Sequence, residues 1–130
     1  MKKTKIWALA APLLLIACTD RTSPEDVAGA AAKTYYQQLA KGQYAEYVDG
    51  FYRPDSIPTN YRQQLIENAK MFLAEQTRER GSLAGVHLTR ATVDTALHTA
   101  NAFLLLTFAD SSREEIVVPM VQHRGLWYMR

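Results

Sequence analysis

From residue 23 onward, apolar positions recur first with helical and then with strand spacing, and the switch falls near residue 82. Ser23-Pro24-Glu25-Asp26 reads as a helix start. Ser23 can cap, Pro24 suits the first helical position, and the two acids complement the positive end of the helix dipole. Val27, Ala31, Tyr35 and Leu39 then recur every four residues, flanked by Ala28, Ala32 and Tyr36. They form one apolar face, with Lys33, Gln37 and Lys41 turned away and Gly42 as the stop. Gln43 to about Phe51 reads as a second, short helix carrying Tyr44, Tyr47, Val48 and Phe51. Two prolines, an Asp and a Ser make Arg53 to Pro58 a loop. A long helix follows from about Thr59 to Arg80. Tyr61, Leu65, Ala69 and Phe72/Leu73 are its expected buried stripe, and Arg62, Glu67, Lys70, Glu75 and Arg78 its solvated side. Gly81 and Ser82 end it.

After this point alternation takes over. Val86 and Leu88 alternate with His87 and Thr89, then the phase slips so that Ala91 and Val93 carry the apolar side, as a β-bulge would make it. Ala100 to Ala109 is apolar at both parities, which predicts a central strand covered on both faces. Asp110-Ser111-Ser112 makes a turn. Glu114 to Gln122 forms a third strand, in which Pro119 lacks a donor and predicts a bulge or an edge. His123-Arg124-Gly125 turns the chain into a last strand, Leu126 to Met129. Helices first and strands afterwards predict an α+β fold, with N-terminal helices packed on a curved four-stranded antiparallel sheet.

The first twenty residues change the picture of where this domain resides. Lys2, Lys3 and Lys5 precede an uncharged apolar run of twelve residues, Ile6 to Ala17. A membrane-spanning helix needs about 20 such residues, whereas the apolar core of a secretion signal needs roughly 7–15. The run closes on Leu15-Ile16-Ala17-Cys18, which resembles the bacterial lipobox. That resemblance implies transfer of diacylglycerol to the Cys18 thiol and cleavage between Ala17 and Cys18. The expected organisation is a lipoprotein signal peptide over 1–17, a lipidated tether over 18–22 and a folded domain over 23–130. Cys18 is the sole cysteine, so no internal disulfide can form. Several acyl chains, at about 0.8 kcal/mol per buried CH₂, would hold the protein on a bilayer. Thr19, directly after the cysteine, is not the Asp that resembles an inner-membrane retention signal in enteric bacteria. An outer-membrane destination in the cell envelope is therefore favoured in a Gram-negative host.

Removal of the signal also alters the charge. Three of the fifteen basic residues leave with it, so twelve face thirteen acids, a formal charge of −1. The electrostatic case for nucleic-acid binding disappears with those lysines.

The segment SPEDVAGAAAKTYYQQLAKGQYAEYV and the ending TANAFLLLTFADSSREEIVVPMVQHRGLWYMR together resemble the cystatin-like and NTF2-like superfamily. They are most similar to small bacterial lipoproteins with a DUF4878-type domain. The resemblance covers nearly all of residues 23–130 and implies a half-barrel with a pocket between helices and sheet. It does not imply an activity. His123-Arg124-Gly125 departs from the family's usual acidic-Gly turn.

Tyrosine is the enriched chemical group. Tyr36, Tyr47, Phe51, Phe103 and Trp127 form a candidate pocket, an apolar lining with a few hydroxyls. The alternative is that the same rings are core residues with wet tips. Related enzymes on this fold use a buried Asp with a Tyr, so Asp49 or Asp94 with Tyr36 or Tyr47 would be the proton-transfer pair of an enzyme reading. No catalytic set, cofactor site or phosphate loop is evident, and His87, His98 and His123 lack metal-ligand spacing. The primary expectation is a lipid-anchored, non-catalytic module. It would bind the membrane through Cys18 and an unidentified small molecule or envelope protein through its domain.

Overall fold

The computed structural model describes residues 22–130. The expected signal peptide, the expected cleavage junction at Ala17–Cys18 and the expected tether up to residue 21 lie outside the described residues. Helix α1 spans Pro24–Ala40, and Ser23 Oγ accepts from the Asp26 amide at 3.1 Å, the capping bond its sequence promises. The helix closes with Gly42 at φ 79°. There the Gly42 amide donates to the Leu39 carbonyl and the Gln43 amide to that of Gln38. This paired closure uses the left-handed conformation that glycine adopts without a Cβ clash. Helix α2 spans Tyr44–Asp49 and helix α3 Thr59–Arg80.

Strands β1 (Leu83–Asp94), β2 (Thr99–Phe108), β3 (Arg113–His123) and β4 (Leu126–Met129) form one antiparallel meander in the order β1-β2-β3-β4. The phase slip in β1 is a bulge between Leu88 and Arg90. The extra residue, Thr89, donates its hydroxyl to the Phe103 carbonyl at 2.9 Å. The β3–β4 hairpin is a two-residue turn, with Arg124 at φ 52° and Gly125 at φ 80°. Positive φ at both positions suits the right-handed twist of the flanking strands, so the His123-Arg124-Gly125 departure leaves the register regular.

One face of the sheet packs on the helices. Ala28 and Ala32 of α1 meet Val86, Ala102, Leu104, Met120 and Met129 in the main core. A second cluster joins Leu39, Val48, Ala69 and Leu73 between the three helices. After α2 the chain doubles back along the free edge of β4. The Gly50 carbonyl accepts from the Met129 amide at 2.8 Å, and the Tyr52 amide donates to the Met129 carbonyl at 2.6 Å.

Two sequence expectations need correction, and a third, a bulge or an edge at Pro119, resolves to the edge. β2 is covered on one face alone: Ala102, Leu104 and Leu106 are buried, while Phe103, Leu105 and Thr107 on the other face stay half-exposed. Pro119 carries no bulge and pairs opposite Asn101 in an unbroken register. Its carbonyl accepts from the Arg130 amide just beyond the end of β4, so its missing donor falls where the sheet gives out. The buried stripe of α3 is narrower than its periodicity suggests. Ala69 and Leu73 are buried, but Tyr61 and Phe72 are each 51% exposed. The helix leans mainly on α2, so residues off that line meet no partner. Among the described residues, no helix is long and apolar enough to cross a membrane.

Candidate functional site

Three of the five candidate aromatic residues meet. Tyr36 comes from α1, Tyr47 from α2 and Phe51 from the turn after it. Tyr36 and Tyr47 pack edge to face with centroids 5.5 Å apart, and Tyr47 and Phe51 do the same at 5.4 Å. The i, i+4 spacing of Tyr47 and Phe51 sets both on one side of the α2 segment, and the first turn beyond α2 keeps Phe51 in line.

Helix α3 forms the opposite wall. Between it and α2 lies a cleft of 340 Å³ lined by Tyr47, Val48, Phe51, Arg53, Leu65 and Phe72, with Asn68 and Ala69 completing it. A tighter cavity of 110 Å³ adjoins it beneath α3, walled by Tyr36, Leu39, Leu73, Leu83, Leu106 and Ile116. Phe72 borders both. Its exposed ring therefore separates an open apolar groove from a deeper apolar recess.

Arg53 gives the cleft a charged lip. Its Nη1 donates to the Val48 carbonyl at 2.8 Å, and the guanidinium lies 5.8 Å from the centre of the Phe51 ring. Tethered to the C-terminal end of α2, the guanidinium retains further donors for another acceptor. Burial pushes the phenols of Tyr36 and Tyr47 upward. Tyr47 is raised further by the neighbouring Tyr36. Both remain neutral at physiological pH, so they can orient a ligand by hydrogen bonding but do not supply a phenolate base.

Phe103 and Trp127 lie elsewhere. Successive side chains alternate across a strand, so Phe103 projects from the outer face, where the Arg90 guanidinium covers it at 3.7 Å from the ring centre. Trp127 is buried at the other end of α1, and its carbonyl accepts from the Tyr35 hydroxyl at 2.7 Å. The two carboxylates of the enzyme reading are also engaged away from the tyrosines. Asp49 takes two bonds from Arg62, at 2.9 and 2.8 Å, which hold its carboxyl below the usual range. Asp94 Oδ1 accepts from the Ala96 and Leu97 amides, both at 3.1 Å, and shapes the β1–β2 turn. His87 lies on β1, His98 in the β1–β2 turn and His123 at the end of β3. The described residues hold no group of three or more His, Cys, Asp or Glu placed to hold a metal ion.

Arg53, Leu65, Phe72 and Ile116 line the two cavities without being marked as pocket residues by the sequence pattern. Phe72 had a signal in the adjacent pair Phe72-Leu73, one apolar residue more than the stripe needs. Arg53 carried none, because its place depends on how the chain turns back after α2.

No family model matches the sequence, and no curated protein resembles it significantly. Among solved structures it is similar to a Campylobacter jejuni protein provisionally named an NTF2-like transpeptidase, known from a crystal structure at 2.00 Å. The TM-score is 0.59 at 13% identity, over 75% of this chain and 92% of that one. The fold is NTF2-like. An NTF2-like domain with helices first and a four-stranded antiparallel sheet after them is the α+β arrangement that the alternation of residues predicts.

Proposed function

We propose that this chain is a lipid-anchored envelope lipoprotein, held through Cys18, whose NTF2-like domain is a non-catalytic binding module for an amphipathic ligand. The finer assignment to DUF4878-type lipoproteins, and an outer-membrane location in a Gram-negative host, are parts of the same proposal. One observation carries the binding reading. The half-exposed ring of Phe72 stands between two apolar cavities, and the larger of them opens beside a fixed guanidinium, Arg53. An apolar body would cover Phe72 and Leu65, the Tyr47 hydroxyl would orient it, and an anionic head would meet Arg53. The enzyme alternative has less support. Asp49 and Asp94 are bound elsewhere, and Glu114 at the rim of the smaller cavity is tied to Arg80 at 2.9 Å.

The probe is dansyl-undecanoic acid titrated into the purified protein. Saturable binding with a blue-shifted dansyl emission is expected, weakened about tenfold or more by Phe72→Ser, a loss of ~1.4 kcal/mol. Arg53→Gln should weaken the acid while leaving the corresponding alcohol unchanged. Equal affinity for all three proteins would overturn the cleft as the binding site. The anchoring reading is tested separately, by incorporation of labelled palmitate into the parent protein and its loss in Cys18→Ser.

A further inference from the structure

Three large apolar side chains that the fold leaves exposed gather at one end of the domain. Leu97 is 69% exposed at the tip of the β1–β2 turn, Leu126 60% exposed at the start of β4, and Val27 43% exposed in the first turns of α1. The strand register brings these elements together. The β1–β2 turn and the β3–β4 hairpin close the same end of the meander, and the Gln122 amide donates to the His98 carbonyl at 2.8 Å. The start of α1 lies on this end too. A depression of 370 Å³ is shared by Thr22, Val27, His98 and Trp127, and another of 360 Å³ by Val27, Leu126 and Trp127.

Thr22 is also where the chain leaves for Cys18, four residues away. Four residues reach at most ~14 Å even when fully extended. An acylated Cys18 would therefore keep this end, and no other, within a short distance of the bilayer. Exposed apolar clusters of this kind mark surfaces that meet a partner or a membrane. We propose that this end is the membrane-contacting face of the domain, with Leu97 and Leu126 immersed at the boundary of headgroups and acyl chains. The inference rests on the acylation of Cys18 proposed above. Charge does not drive the contact: Glu25 and Asp26 flank the start of α1 and offset Arg124 at the hairpin. The adhesion is apolar and insensitive to salt.

The test uses the full chain, processed in a lipoprotein-producing bacterium and reconstituted in phosphatidylethanolamine–phosphatidylglycerol vesicles. Single substitutions Leu97→Cys, Leu126→Cys and Ser111→Cys are labelled with an environment-sensitive NBD group. Acylation consumes the thiol of Cys18, so only the introduced cysteine reacts. Ser111 lies in the β2–β3 turn at the opposite end of the sheet. The mass of the N-terminal peptide reports acylation in the same samples. The expected result is blue-shifted emission and several-fold stronger quenching by doxyl-labelled lipid at 97 and 126 than at 111. The difference should persist in 1 M salt, where screening shortens the reach of charge to about 3 Å. Equal quenching at all three sites on an acylated chain would overturn the contact and leave the anchor intact. Loss of the difference in high salt would overturn apolar immersion. A chain found unacylated would remove the Cys18 reading and this inference with it.

Discussion

Helices α1 and α3 are both long and both amphipathic in pattern, but they are seated differently. α1 meets the sheet through Ala28, Gly29 and Ala32, all buried. A Cβ on Gly29 would stand 2.6 Å from Leu88 Cδ2, so the glycine lets the Leu88 side chain reach the helix backbone. α3 buries Ala69 and Leu73, and leaves Tyr61, Met71 and Phe72 in solvent. The contrast shows that periodicity reports a helix, while the size of side chains on its inner face reports how tightly it is held. The tight half carries stability; the loose half leaves room for a cleft.

Substitutions in the two halves should therefore behave differently. The largest effect is expected at Trp127, buried on the α1 side. Trp127→Ala should cost ~3–5 kcal/mol in urea unfolding, and a loss below ~1 kcal/mol would show that this half is not the tighter one. Gly50→Ala comes next. The new Cβ would lie 2.5 Å from the Tyr35 ring, which its bond to the Trp127 carbonyl pins in place. Overpacking of this kind costs roughly 1–3 kcal/mol, read in the same unfolding experiment. Phe72→Ser should lower stability by less than ~1.5 kcal/mol, since half of the ring is already in water. A loss matching Trp127→Ala would erase the distinction between the helices.

The smallest effect belongs to Arg62→Ala, which releases Asp49 at the α2–α3 junction, where both partners are largely solvated. Because Asp49 titrates below its ordinary value, the pair stabilises the fold above about pH 4, the unfolded aspartate range. That contribution is lost as the pH falls through the lowered folded value. The Tm difference between Arg62→Ala and the parent should accordingly be small at neutral pH and close in acid. A difference that grows in acid would show that Asp49 is not the group involved.

Much of the architecture is legible in the residues, for identifiable reasons. The bounds of α1 and α3 follow from Ser23-Pro24, Gly42, Pro58 and Gly81, each of which sets local dihedrals or a capping bond. The bulge near Thr89 shows as a change of parity, because a strand has only two faces. The sites are harder to see. Phe103 and Leu104 are both apolar, and nothing local says which of them faces the helices. Phe72 looks like core because periodicity is blind to whether a neighbour is present. Tyr36, Tyr47 and Phe51 were legible as candidates, but the wall opposite them comes from a helix whose distance is set by tertiary packing.

The segment that returns along β4 bears on the chain's solubility. A short terminal strand would normally offer its outward amides and carbonyls to any extended peptide. Here the Trp127 carbonyl is held by Tyr35, and both the amide and the carbonyl of Met129 by Gly50 and Tyr52. An incoming strand would find those positions already occupied. That closure discourages self-association by strand addition without a disulfide or a fifth full strand.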